Sequence, residues 1–74
     1  MHIQIVGTVE YIDISTGTWA IVTDTDERYE IWSPAPEVIL QEGLKVSVTA
    51  KVRDDVMSLA AIGDVLEIEK FQIL

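Results

Sequence analysis

The side chains in this sequence that could do chemistry are carboxylates and indoles. Its 74 residues carry thirteen Asp and Glu against five Lys and Arg, with one His, two Trp and no Cys. Acid–base catalysis by a carboxylate pair needs two environments that hold the pKa values apart. The acids here crowd into hydrophilic turns, Asp24 to Glu30 ("DTDERYE") and Asp54-Asp55, which offer no such contrast. His2 stands at the terminus, where chains are commonly poorly ordered, so no oriented base or ligand can be built on it. The expectation is no catalytic residue, no metal, no cofactor and no enzyme.

The alternation of Asp24, Asp26 and Glu30 raises a calcium reading, since oxygen ligands often alternate. A calcium loop, however, takes six to eight oxygens, a Gly at its sharp turn and a distal bidentate Glu. This run has no Gly. Asp and Thr bond turn backbone with their own side chains, and a solvated turn is the expected reading.

Aromatic residues pose a second question. Trp19, Tyr29 and Trp32 flank the acidic turn. Bases of a single-stranded nucleic acid stack on such rings inside a basic groove. Here a phosphate backbone would meet Asp26, Glu27 and Glu30, and the whole chain has a formal charge of −8 with a pI near 4.2. Because nucleic-acid affinity rests on cations releasing counterions, no nucleic-acid partner is expected. Lys45, Lys51 and Arg53 do share one face, but nothing aromatic is interleaved with them, so a solvated strand face is expected. Arg28 and Trp32, both at even positions of one strand, are expected on a common face as a partner-binding pair.

Strands must position these residues. Ile3 to Ile14 is a β-branched run interrupted by Gly7, whose apolar phase changes from odd to even positions, predicting a bulge or sharp bend. Thr18 to Thr23 and Arg28 to Trp32 read as two strands joined by the acidic turn. Two registers are open for them. Pairing Thr23 with Arg28 sets Trp19 across from Trp32 on the outer face. Pairing Thr23 with Glu27 gathers Trp19, Ile21, Tyr29 and Ile31 in the core, and this register is expected because it yields one strongly apolar face. Glu37 to Gln41 is expected as a short helix stopped by Gly43. In "LKVSVTAKVR" every second residue is apolar, predicting a half-buried strand with Val46, Val48 and Val52 inward. Met57 to Ile62 is expected to open a last strand that bends at Gly63 or Asp64 and continues as "VLEIEKFQIL".

Three strands, a short helical connection and two strands, led by a long first strand with a central Gly, is the order of the five-stranded Greek-key barrel called the OB-fold. An SH3-like barrel is the competing architecture. Nearly the whole chain, with its "GTVEYI" opening, "GTW" second strand, "GLKVSV" fourth strand and "LEIE" close, resembles small bacterial OB-fold proteins of uncharacterised function; that resemblance implies a fold and no activity. "GTVEYI" and "VTDTDERYEI" are also similar to the opening hairpins of bacterial translation initiation factor one, but the chain has no basic tail. "EGLKVSVTAKVRDDVMSLA" is similar to strands of molybdate-binding OB domains, whose oxyanion-contacting Ser-Ala-Arg-Asn stretch is replaced here by "HIQIV".

The remaining expectations concern partners. The sequence shows no secretion signal and no apolar run near membrane-spanning length, so a cytosolic protein with no membrane partner is expected. Half the residues are hydrophobic, mean hydropathy is +0.28, and a domain of this size without disulfide or metal commonly leans on a partner. In "VLEIEKFQIL" the alternation inverts, so a regular strand would expose Phe71 and Ile73 together, whereas a bulge near Lys70 would turn them inward. A single OB-fold domain acting through protein contacts is the expectation, with homo-oligomerisation through Phe71 and Ile73. An oxyanion-binding domain and a nucleic-acid binder are the alternatives.

Overall fold

Five strands and one 3₁₀ turn make up the computed structural model, which describes residues 1–14, 17–58 and 62–74. β1 (His2–Ile12), β2 (Thr18–Thr23) and β3 (Arg28–Ile31) precede the 3₁₀ turn (Glu37–Ile39); β4 (Lys45–Val52) and β5 (Val65–Ile73) follow it. The chain is all-β, as the alternating patterns predict. The last strand begins only at Val65: Met57, Ser58 and Ile62 lie outside any strand, and Leu59–Ala61 fall outside the described residues, as do Ser15 and Thr16.

All five strands belong to one sheet whose pairing runs β1-β2-β3-β5-β4 and returns to β1. β1 makes this possible by serving two neighbours. His2 to Thr8 pair with β4, and Gly7 to Ile12 pair with β2. Both ladders keep one register, with no shift to mark a bulge, and the odd phase runs on through buried Val9. The even Ile12 and Ile14 fall at and beyond the end of β1, while the strand passes from β4 to β2 at Gly7–Thr8. A Cβ at Gly7 would sit 2.7 Å from Ile21 Cγ2 and from the Val22 carbonyl oxygen, which is why the strand coils over β2 only without a side chain there. The one parallel pairing, β3 with β5, closes the ring through Glu30↔Val65 and Ile31↔Leu66.

Inside the ring Val9, Ile21, Ile31, Val46 and Val48 are buried together. Ile39, fully buried, is supplied by the 3₁₀ turn. The turn is shorter than the Glu37–Gln41 helix the sequence suggests. β4 alternates as predicted, with Val46, Val48 and Ala50 buried and Lys45 and Lys51 exposed. Val52 is only half-buried, because it lies at the end of the strand, where the ladder finishes opposite Leu66.

β5 carries the irregularity. Thr49 faces Lys70 and Ala50 faces Ile68, so Glu69 is the extra residue of a bulge. The shift sets Phe71 opposite Val48 and Ile73 opposite Val46, on the core side. They nonetheless remain 39% and 44% exposed. The cause is topological: β3 pairs with β5 only as far as Leu66, and the tail beyond it pairs with β4 alone.

Candidate functional site

The acidic segment between β2 and β3 is a turn. Thr23 N–H donates to the Glu27 carbonyl at 2.9 Å and Asp26 N–H to the Thr23 carbonyl at 3.0 Å, with Asp26 in the left-handed region at φ 64°. The Thr23 hydroxyl oxygen accepts the Glu27 N–H, and Thr25 Oγ donates to the Glu27 carboxylate, both at 3.1 Å. The Thr23 hydroxyl thus serves the turn backbone, and Thr25 ties the Glu27 side chain to it. Among the described residues no three His, Cys, Asp or Glu gather to hold a metal ion, and no helix is long and apolar enough to cross a membrane.

This turn sets the register. Thr23 meets Glu27, Val22 faces Arg28, and Ala20 faces Glu30, which is the expected pairing of the two. Ile21 and Ile31 are buried, while Trp19 and Tyr29 on the same face are half-buried. Trp19 packs against the core and meets Tyr11 edge-on at 5.2 Å. Burial, reinforced by the adjacent Glu27, raises the Tyr29 phenol above its ordinary pKa.

The opposite face of β2 and β3 is also covered. Ala20 is fully buried, Glu30 is 6% exposed and Val65 is 4% exposed. Two described residues of the β4–β5 connection, Ser58 and Gly63, lie against β3 here. Ser58 Oγ donates to Glu30 Oε1 at 2.5 Å, and Gly63 lies so close to β3 that a Cβ there would meet the Arg28 carbonyl oxygen at 2.0 Å. Alternation predicts an outward Glu30; the covering loop makes it a buried, hydrogen-bonded carboxylate. The sequence signal that could have located this contact is Gly63 itself.

Beside this contact lies a cleft of about 540 Å³. Gly17 and Thr18 form one wall, Glu30 to Ser33 the floor, and Met57, which is 82% exposed, the other wall. Such a volume falls in the range of small-ligand and side-chain pockets. Arg53 lies over the Trp32 ring, 5.7 Å from its centroid. Its guanidinium is gripped by Asp55 at 2.9 and 3.1 Å and by Glu67 at 2.7 Å. These bonds hold the Asp55 carboxyl below the usual carboxylate range and push Arg53 further up.

The structure thus divides the sequence-predicted residues. Arg28 opens β3 as an exposed residue, whereas Trp32 follows the end of that strand, half-buried, and lines the cleft; Arg53 is the base on its ring. Of the predicted basic stripe, Arg53 is therefore occupied by two carboxylates, and Lys45 and Lys51 stay exposed. Phe71 and Ile73 form a separate patch on β5. Phe71 borders a depression of about 180 Å³ lined by Gln4, Ser47, Thr49, Lys70 and Gln72, which has a single cation to offer an oxyanion. His2, expected at a loose terminus, is in β1, its Nε2 3.1 Å from Glu69. No family model, curated protein or solved structure matches the chain.

Proposed function

We propose that this chain is an OB-type barrel that works as a small acidic interaction module, binding a protein partner in the Trp32 cleft. Two features support the OB reading: β1 is shared between β2 and β4, and the strand order returns on itself through a parallel β3–β5 pairing. The observation that carries the contact role is an aromatic floor and a mobile-natured Met wall beside a buried Glu, in a molecule of formal charge −8. Retention of a partner from its native host's lysate on immobilised wild type, lost on a folded Trp32→Ala variant, is the expected result. Equal retention by both would remove the cleft from the reading. Stabilisation by molybdate, or tight binding of a single-stranded oligonucleotide, would replace a protein partner with one of the alternatives.

Self-association belongs to the same proposal, carried by the exposed Phe71 and Ile73 on the half of β5 that pairs with β4 alone and leaves its other edge open. Light scattering at tens of micromolar is expected to give a dimer or larger. A chain truncated after Glu69 is expected to be monomeric; a monomeric wild type rejects this part.

A further inference from the structure

Resting on the protein-contact reading of the Trp32 cleft, we infer that its occupant is a cationic side chain, a lysine or arginine presented by the partner. Three independent features point the same way. Glu30, 6% exposed, lines the cleft with one carboxylate oxygen already bound to Ser58. A carboxylate accepts at two oxygens, so it can take an N–H from a ligand while keeping Ser58. Trp32 lines the cleft with an indole, the best of the aromatic partners for a cation, and already holds the Arg53 guanidinium 5.7 Å from its centroid. Met57 supplies a flexible, polarisable wall suited to the alkyl stem of a long side chain.

The charge balance around the cleft favours a positive ligand. The base over Trp32, Arg53, is answered by both Asp55 and Glu67, so this group is negative as a whole. Glu30 adds a further carboxylate. Arg28 is exposed and does not line the cleft. An anion would face these acids without a free base inside the cleft; a neutral apolar group would leave the Glu30 carboxylate covered and without a ligand donor.

A defined peptide pair tests this. Capped Gly-Gly-Lys-Gly-Gly and the same peptide with norleucine in place of lysine differ only in the ammonium group. Each is titrated into the ¹⁵N-labelled protein, following the Trp32 indole and the Met57 and Gly17 amides. The lysine peptide is expected to shift these signals and to bind about tenfold or more tightly than the norleucine peptide, as for hydrogen bonds to charged groups. Glu30→Gln is expected to remove that preference. Glu42→Gln, which deletes an equal charge at an exposed site away from the cleft, is expected to keep it. Equal binding of both peptides, no binding of either, or shifts centred on the Asp24–Glu27 turn would overturn the inference. The peptide comparison on the wild type decides even if Glu30→Gln fails to fold. A partner captured through Trp32 but indifferent to Glu30→Gln would sink the cationic ligand and leave the protein-contact reading standing.

Discussion

Arg53 concentrates the electrostatics of the molecule in one side chain, joining β4 to β5 and to the cleft floor at once. Its grip on Asp55 has a pH signature. A carboxyl held below its ordinary pKa contributes stability that is present above the unfolded value, near ~3.9 for Asp, and lost as pH falls through the lower folded value. Thermal melts from neutral to strongly acid pH should therefore show a shallower acid decline in Asp55→Asn than in the wild type. Parallel curves would mean that the pair is not maintained in solution. Glu30 and Arg53 also mark where single-residue reading stops. Alternation placed both on an outer face, and it did so correctly; nothing local to either says that the β4–β5 connection folds back over one and that Trp32 lies under the other.

At the scale of elements, β4 was the most legible because its two faces differ in every residue, and period-two alternation is a direct record of burial. Val48→Asp should cost about 3–5 kcal/mol by leaving an uncompensated charge in the core, comparable to the stability of the whole domain, which is ~4–11 kcal/mol for this length. Lys51→Ala should stay within about 0.5 kcal/mol. Chemical denaturation of both variants checks the contrast, and an unchanged midpoint for Val48→Asp contradicts the inward phase. In β1 the bulge half of the expectation has a physical reason for failing: Ile12 is the strand's last residue and Ile14 lies beyond it, so their even phase records the end of the ladder and not a register shift inside it. The true bulge, at Glu69, lies beside the position the tail pattern allows for it. Gly63 ties the β4–β5 connection to β3, and Gly63→Ala should destabilise the domain by about 1–3 kcal/mol because the atom its Cβ would meet is the Arg28 backbone oxygen. The same variant should broaden the Ser58 and Glu30 signals; a denaturation curve matching the wild type would show that the connection can lift without cost.

For the whole molecule, charge and shape give separate constraints. The accessible surface, 4649 Å², is close to the ~4,600 Å² expected of a compact monomer of this mass, so folding alone covers the chain about as well as usual. Among the described residues, exposed large apolar side chains include Met57 at the cleft and Phe71, Ile73 and Leu74 at the end of β5, with Val6, Tyr11, Ile14 and Val38 elsewhere on the surface. With a formal charge of −8 and its best-placed base already paired, the domain should show no micromolar binding to labelled single-stranded DNA or RNA, even at low salt where attraction is exaggerated. Saturable binding there would reverse the choice of partner class.

The ring is closed by its shortest seam. β3 meets β5 through two residue pairs, held by Glu30 N–H to the Asp64 carbonyl and Trp32 N–H to the Leu66 carbonyl, both involving strands distant in sequence. Cooperative units with few contacts open first, so the seam should breathe while the β1–β4 and β4–β5 ladders stay closed. On the β3 side, the seam residues Glu30, Ile31 and Trp32 also line the cleft. An occupant resting on Glu30 and Trp32 would act as a clasp, and the Glu30 and Trp32 amides should exchange hydrogen faster than those of Val46 and Val48 in the free protein and slow on binding. Exchange rates at Glu30 and Trp32 equal to those of β4 in the free protein would show that the ring opens only as a whole.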